Sequence, residues 1–394
     1  MTQYPSNQYP SNQYPSNQYP SNQYPSIDEL LSQAISQNAS DLMLSANTPP
    51  QVKVNGSIQN LSSEVYEHSH IEALLRSICS DEQWKQFEAD RDLDMAYTYV
   101  DDESKQSARF RVNLGMQRSS PFSVMRAIPT LNRTLEDFKF HDIVPLSCVK
   151  PRGLILVTGP TGSGKSTTLA AMINYINRHR RVHILTLEDP IEFTHENILA
   201  TVNQREVGRD TRSFGSGLRA ALREAPDVIL VGEMRDPETM AAALTAAETG
   251  HLVMGTLHTN GAAETIDRII DAFAADKRDQ IKVQLANNLR LVISQTLVPR
   301  VDGSGREMAY EIMGESQAIK ALIRDGKAYQ IGSILQTSGK QQGMVALDSM
   351  LADLVHARKV TIEAATERCV DAKELTEAIN KLRGIGPSTA SARK

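Results

Sequence analysis

Cysteine is scarce in this sequence, and so are long apolar runs. Only Cys79, Cys148 and Cys369 occur among the 394 residues, and they are widely spaced. This spacing argues against a zinc knuckle and a disulfide framework, and it fits a reducing compartment. No apolar run approaches the roughly 18 residues that a membrane-spanning helix needs. The first residues lack the basic and apolar regions of a signal peptide, so we expect a cytoplasmic protein.

An excess of charge of one sign is also missing. The net charge is −5 at pH 7, which gives no electrostatic footprint for a nucleic-acid partner. The length of the chain makes two domains the default expectation.

The chain begins with a repeat. Residues 3–27 hold five tandem Gln-Tyr-Pro-Ser-Asn units, the last of which ends in Ile27 instead of Asn. Proline at every fifth position interrupts helices and sheet ladders, and nothing in the units could form a core. We therefore predict a disordered tail over residues 1–25, and we favour an inert tail over one whose tyrosines bind a partner.

A mixed pattern of helices and strands follows the tail. It predicts a smaller α+β domain over residues 26–128 and a proline-containing linker over residues 129–152. The local predictions are a capped helix from Ser26, a strand and hairpin over 40–44 and 51–58 with an Asn-Gly turn, one helix over 71–89, and a strand pair over 95–100 and 108–114.

The rest of the chain is organised around a glycine-rich stretch. Gly153 to Thr158 is a short apolar run, typical of a buried parallel strand, and a helical pattern opens at Leu169. Between them lies the pattern Gly-x4-Gly-Lys-Ser, in the strand–loop–helix context that a phosphate-binding loop requires. The predicted phosphate-binding residues are Gly159, Pro160, Thr161, Gly162, Ser163, Gly164, Lys165, Ser166 and Thr167.

The chemistry explains these residue types. Glycines let backbone N–H groups turn toward phosphate oxygens, and the following helix presents the positive end of its dipole. Lys165 is placed for the β- and γ-phosphates, and the hydroxyl of Ser166 is placed for Mg²⁺. ATP and Mg²⁺ are therefore the expected ligands.

Strand and helix signals alternate beyond this loop, as in a parallel, doubly wound sheet. Glu233 follows one apolar strand, and its carboxylate would act on Mg²⁺ directly or through water. Glu188, Asp189 and Glu192 follow another strand, and one of them should orient and deprotonate the attacking water. His258 ends a third strand and could sense the γ-phosphate.

For one histidine and four arginines, the spacing in the sequence gives weaker support for a role at the nucleotide. His251 follows a glycine and fits a turn. Developing charge on the γ-phosphate calls for a cation besides Lys165. Arg109, Arg111, Arg126 and Arg152 are the candidates, although each also fits a surface ion pair.

These residues together resemble the type IV pilus and type II secretion ATPases, and within them the PilT-like retraction motors, over roughly residues 27–370. Residues 159–166 look like the Walker A box and 231–236 like the Walker B box. Residues 187–193 look like the Asp box, and 249–259 look like the His box. Four boxes in the family's order are far more specific than a phosphate loop alone.

The resemblance implies an α/β fold, with a RecA-like P-loop ATPase domain over residues 153–370 preceded by a PAS-like domain. It implies that Glu192 is the catalytic base and that Arg111 and Arg126 reach bound ATP. It also implies a homohexamer in which ATP turnover rotates one domain on the other. The expected partners are an inner-membrane pilus platform protein and, as a further candidate, a paralogous motor, with no nucleic acid and only partner-mediated contact with the membrane.

Residues 318–324 resemble a short helix motif, AIRNLIR, that is associated with retraction. Lys320 replaces its Arg and Ala321 replaces its Asn, so one charge is kept and one amide is lost. The assembly motors usually carry a zinc-binding tetracysteine, which this chain lacks. Residues 371–394 have no counterpart and are assigned to a C-terminal extension.

We therefore expect an ATPase that drives retraction of type IV pili. The nearest alternative is a motor of the same fold for pilus assembly, type II secretion or accessory retraction, because cargo is a property of the partner. A more distant alternative is a nucleotide-gated scaffold without net turnover.

Overall fold

The computed structural model describes residues 24–54, 57–101, 107–128, 133–337 and 339–383. The chain divides into two compact units, and the division falls at Thr130. Residues 1–23, which make up most of the predicted tail, lie outside the described part, as do residues 384–394 of the predicted extension.

The described residues of the first unit form a six-stranded antiparallel sheet with three helices. Its strands lie in the order β3-β2-β1-β6-β5-β4. The elements are α1 (Ile27–Ser36), β1 (Asp41–Ser45), β2 (Gln51–Val54), β3 (Ser57–Asn60), α2 (His68–Ser77), α3 (Asp81–Asp90), β4 (Asp92–Val100), β5 (Ser107–Gln117) and β6 (Ser120–Ile128).

Local chemistry sets the helices of this unit. The capping box at Ser26 is confirmed, because its hydroxyl accepts from the Glu29 N–H while the Glu29 carboxylate accepts from the Ser26 N–H. The prediction of one helix over 71–89 was wrong. Helix α2 ends at Ser77, and Ser80 then forms a capping box with Gln83 that starts α3.

The strand predictions for this unit hold in part. Strands β4 and β5 pair antiparallel as predicted, with Met95 opposite Val112. Strands β2 and β3 also pair antiparallel, and the predicted Asn55-Gly56 turn between them lies outside the described residues. Strand β6 was not predicted. It joins the two halves of the sheet by pairing with both β1 and β5.

The second unit is built on a seven-stranded sheet of order β13-β12-β7-β11-β10-β8-β9, parallel except for β13. The elements are α4 (Ile143–Cys148), β7 (Gly153–Thr158), α5 (Lys165–His179), β8 (His183–Glu188), β9 (Thr201–Glu206), α6 (Phe214–Ala221), β10 (Val228–Val231), α7 (Pro237–Glu248), β11 (Leu252–Leu257), α8 (Ala262–Asp271), α9 (Arg278–Asn288), β12 (Leu289–Pro299), β13 (Arg306–Gly314), α10 (Gln317–Arg324), α11 (Ile331–Thr337), α12 (Leu347–His356), α13 (Ile362–Thr366) and α14 (Ala372–Leu382).

The parallel sheet confirms the predicted β-α-β pattern. Strands β7 and β11 lie near its centre, and every residue of both is buried. Strands β9, β12 and β13 were not predicted. In the case of β9, the strand is polar and half-exposed. The chain beyond α12 forms the separate helices α13 and α14.

Part of the segment predicted as a linker packs into the second unit. Helix α4 lies within it, and Val144 and Cys148 are fully buried in a core beneath the sheet. Pro145 is compatible with this helix because it stands in the first turn, where backbone N–H groups have no partner within the helix. None of the helices in the described ranges is long and apolar enough to cross a membrane.

Candidate active site

The glycine-rich loop connects the buried strand β7 to the N-terminus of α5, as predicted. Gly159 and Gly164 adopt φ angles of 138° and 91°, which side chains other than glycine rarely tolerate. A Cβ on Gly159 would also collide with the backbone carbonyl oxygen of Gln295. The loop therefore needs glycine at residue 159 both for its backbone angles and for the close approach of β12.

Lys165 lies folded over this loop. Its ammonium donates to the carbonyl oxygens of Gly159 at 2.9 Å and Pro160 at 3.1 Å. Burial lowers the pKa of Lys165, while the negative charges of Glu233 and Glu192 act to raise it. The cation is thus held at the loop, close to the positive end of the α5 dipole, where an anion would be stabilised.

A glutamine that was not predicted braces the loop from β12. Gln295 Nε2 donates to the carbonyl oxygen of Ser163 at 2.8 Å, and its Oε1 accepts from the Thr168 hydroxyl at 3.0 Å. Gln295 is 2% exposed and Thr168 is fully buried. The Ser163 hydroxyl is also buried, and it has no hydrogen-bond partner among the described residues.

The carboxyl ends of three adjacent strands meet beside the loop. Val231 of β10 lies opposite Leu187 of β8 and Gly255 of β11. The residues that follow therefore converge on one cleft of about 490 Å³. The predicted site residues that line this cleft are Thr161, Gly162, Gly164, Lys165, Ser166, Thr167, Glu188, Asp189, Glu192, Glu233 and His258.

Glu233 contacts two basic side chains in the cleft. Its Oε1 lies 2.6 Å from Arg235 Nε and 3.1 Å from His258 Nε2. Burial acts to raise the pKa of Glu233, but the hydrogen bond from Arg235 and the charges of Arg235, His258 and Lys165 lower it overall. The carboxylate is thus kept ionised near the phosphate loop.

The donor types at the cleft fit Mg²⁺. The ion prefers oxygen ligands and is usually held by one or two protein groups together with water and substrate phosphates. Ser166 offers a hydroxyl and Glu233 a carboxylate at the same cleft. No group of three or more His, Cys, Asp or Glu side chains that could hold a metal is found in the described ranges.

Two of the three acids after β8, Glu188 and Glu192, have different surroundings. The Glu188 carboxylate accepts from the Thr186 hydroxyl at 2.6 Å, from Gln204 Nε2 at 3.1 Å and from the backbone N–H of Glu192. Burial raises the pKa of Glu188, against the effect of these hydrogen bonds. Glu192 is exposed and lines the cleft. Glu188 is therefore occupied by structural contacts, which favours Glu192 over Glu188 as the base.

The two histidines differ in the same way. His258 lies in the cleft, whereas the His251 ring contacts the carbonyl oxygen of Ala246 at 3.0 Å, and its own carbonyl accepts from the Gly153 N–H. His251 thus supports a turn. A third histidine, His195, also lines the cleft and was not predicted. Burial lowers the pKa of His195 to about 4, so its ring is neutral near pH 7.

The predicted arginines lie in the first unit, except Arg152. Arg111 of β5 and Arg126 of β6 are opposite each other in the sheet. Arg126 Nε donates to Asp41 at 2.8 Å, and Arg111 lies 3.7 Å from Asp94. Arg126 thus has a structural contact of its own, and a role for either arginine at the nucleotide stays a prediction.

The chain is similar to known proteins over most of its length. Residues 123–392 match the family described as Type II/IV secretion system protein. The chain is 48% identical to the type IV pilus retraction ATPase PilT of Pseudomonas aeruginosa, covering 87% of this chain and 97% of that protein. It is 44% identical to a twitching motility protein of Neisseria gonorrhoeae, covering 89% and 92%. A crystal structure of the pilus retraction motor PilT with bound ADP superimposes with a TM-score of 0.81, at 42% identity, covering 90% of this chain and all of that one.

Proposed function

The chain belongs to the type II/IV secretion system protein family, and on that premise we propose that it is a hexameric ATP-hydrolysing motor that drives the retraction of type IV pili. The single observation that carries the proposal is the 48% identity to a retraction ATPase over nearly the whole of that protein. The cleft supports it chemically, because it combines a phosphate loop with acidic side chains at the ends of the neighbouring strands.

Each residue of the cleft has a part in the proposed hydrolysis. The backbone of residues 159–167 and the Lys165 ammonium bind the phosphates of ATP. Ser166 and Glu233 would hold Mg²⁺, which neutralises charge on the β- and γ-phosphates. His258, in contact with Glu233, senses whether the γ-phosphate is present.

Glu192 accepts a proton from the attacking water and aligns it with the γ-phosphorus. Its exposed carboxylate in the cleft supports this role, and so does the commitment of Glu188 to structural contacts. Arg111 and Arg126 couple the first unit to the nucleotide, so that turnover rotates one domain on the other.

The partners follow from the proposed function. We infer a homohexamer in the cytoplasm that docks on an inner-membrane pilus platform protein and works beside a paralogous motor. Contact with the membrane is made through these partners. Nucleic acid is not a partner of the proposed motor.

The chemistry is tested by steady-state ATP hydrolysis of the purified protein. Lys165→Ala should abolish turnover because it removes the phosphate-binding cation. Glu192→Gln should bind ATP normally but hydrolyse it about 10² to 10⁴ times more slowly, the usual contribution of a general base. Glu196→Gln is the matched control, since Glu196 is an exposed acid on the same loop that does not line the cleft. Normal turnover by Glu192→Gln would overturn the assignment of the base.

The direction of force is tested in cells that lack this chain. Many surface pili without surface motility would support retraction. Few or no pili would identify an assembly motor, and unchanged pili would point to type II secretion or an accessory role. A wild-type protein that binds ATP without turnover would instead be a nucleotide-gated scaffold.

A further inference from the structure

Strand β9 was not predicted, yet it holds the loop on which Glu192 lies. Gln204 lies on this strand, and both the nitrogen and the oxygen of its side-chain amide form hydrogen bonds to the loop or to the end of β8. Nε2 donates to Glu188 Oε1 at 3.1 Å and to the carbonyl oxygen of Phe193 at 2.8 Å. Oε1 accepts from the backbone N–H of His195 at 2.9 Å. One side chain thus joins the end of β8 to the backbone on the far side of Glu192.

Two carboxylates hold the near side of the same loop. Glu188 accepts from the backbone N–H of Glu192 itself. Glu206, two residues beyond Gln204, accepts from the backbone N–H of Ile191 at 3.2 Å. The backbone from 191 to 195 is therefore bonded to side chains of β8 and β9, while the Glu192 carboxylate is exposed in the cleft.

We propose that Gln204 is a positioning residue that fixes the loop over residues 189–195, so that the Glu192 carboxylate faces the attacking water. Gln204 is not among the residues that line the cleft, so it acts through Glu192 and not on the nucleotide. A general base must lie within about 3 Å of the proton it accepts, and a misplacement of about 1 Å costs about 10²-fold in rate. This proposal rests on the proposed function, because it assumes that Glu192 is the base.

The first test compares two substitutions on the same strand. Gln204→Met keeps the length of the side chain but removes its hydrogen bonds. Asn203→Leu is the matched control, because Asn203 is an exposed amide on β9 that contacts the ring of His183 and does not line the cleft. We expect Gln204→Met to lower kcat for ATP about 10- to 100-fold, with the KM and the affinity for a non-hydrolysable ATP analogue within about threefold of wild type. Asn203→Leu should leave all of these values unchanged.

The second test asks whether Gln204 acts through Glu192. In a Glu192→Gln background, Gln204→Met should cause almost no further loss of rate, because the group that it positions is already gone. A general structural defect would instead lower the rate by the same factor in both backgrounds, and that result would overturn the proposal. So would a Gln204→Met protein with wild-type kcat.

A rescue and an exchange measurement complete the design. Gln204→Glu alone places two carboxylates opposite each other and should lower kcat. Combining it with Glu188→Gln restores one amide–carboxylate hydrogen bond between β8 and β9, so the double variant should recover part of the lost kcat. In Gln204→Met, the backbone amide of His195 should exchange with deuterium faster than in wild type or in Asn203→Leu. Unchanged exchange would overturn the positioning role.

The failure of the two proposals can be told apart. Absence of ATP turnover by the wild-type protein would contradict the proposed function, while the exchange rate at His195 would still decide whether Gln204 holds the loop. Normal wild-type turnover together with normal turnover by Gln204→Met would contradict only the positioning role.

Discussion

Replacing Gln295 with methionine should destabilise the second unit and leave the first unaffected. The substitution keeps the approximate length of the side chain but removes two buried hydrogen bonds, to the Ser163 carbonyl and from the Thr168 hydroxyl. A buried polar group left without a partner costs about 1–3 kcal/mol. With both groups left without a partner, we expect a loss of about 2–6 kcal/mol in the free energy of unfolding of this unit.

The protein contains a convenient internal control for this measurement. Its single tryptophan, Trp84, is buried in the first unit. Urea unfolding followed by tryptophan fluorescence therefore reports on that unit, while far-UV circular dichroism reports on the helices of both. Gln295→Met should lower the urea midpoint of the transition seen by circular dichroism and should leave the fluorescence transition in place.

A double substitution tests the physical reasoning directly. Thr168→Val alone orphans Gln295 Oε1, but Thr168→Val combined with Gln295→Met removes both partners of one bond. The loss in the double variant should therefore be smaller than the sum of the two single losses, by about 1 kcal/mol. Strict additivity, or a wild-type urea midpoint for Gln295→Met, would refute the role of this side chain in bracing the phosphate loop.

Three further predictions concern other parts of the molecule. Three cations lower the pKa of Glu315 to about 2 despite its burial. The ionised carboxylate should therefore add about 3 kcal/mol to the free energy of unfolding above pH 4.5, and this contribution should be lost as the pH falls toward 2. In Glu315→Gln, the free energy of unfolding should accordingly change less with pH over this range. Gly159→Ala should weaken ATP binding at least about tenfold in an equilibrium titration, because a side chain there collides with a carbonyl oxygen of β12. Arg126→Ala should leave the buried carboxylate of Asp41 without its ion-pair partner, and should destabilise the first unit by about 1–3 kcal/mol in Trp84 fluorescence, whereas an unchanged midpoint would leave Arg126 free for a role at the nucleotide.

The phosphate loop was predictable because its determinants are contiguous. A strand, a glycine pattern and a helix lie within residues 153–179, and each acts on its immediate neighbours. The acids at the ends of β8 and β10 were predictable for a related reason, since parallel strands bring their carboxyl ends to one edge of a sheet. These features depend on local sequence and a general rule of architecture.

The bracing amides were not predictable from local sequence. Gln295 bonds to a residue 127 positions away, and nothing in the composition of β12 marks it. Gln204 lies in a polar edge strand that lacks the apolar alternation by which strands are recognised. Its partners surround Glu192, so its importance follows only from the parallel pairing of β9 with β8.

The helix that resembles the retraction motif illustrates how structure restricts what a motif can mean. In α10, Ile319 and Ile323 are buried in the core of the second unit. Lys320, which replaces an arginine of the motif, lies 2.9 Å from Glu315, so its charge is used within the unit. Arg324 is exposed at the end of the helix. Of the two basic residues in this motif, Arg324 is therefore the exposed one, whereas the charge of Lys320 is paired within the unit.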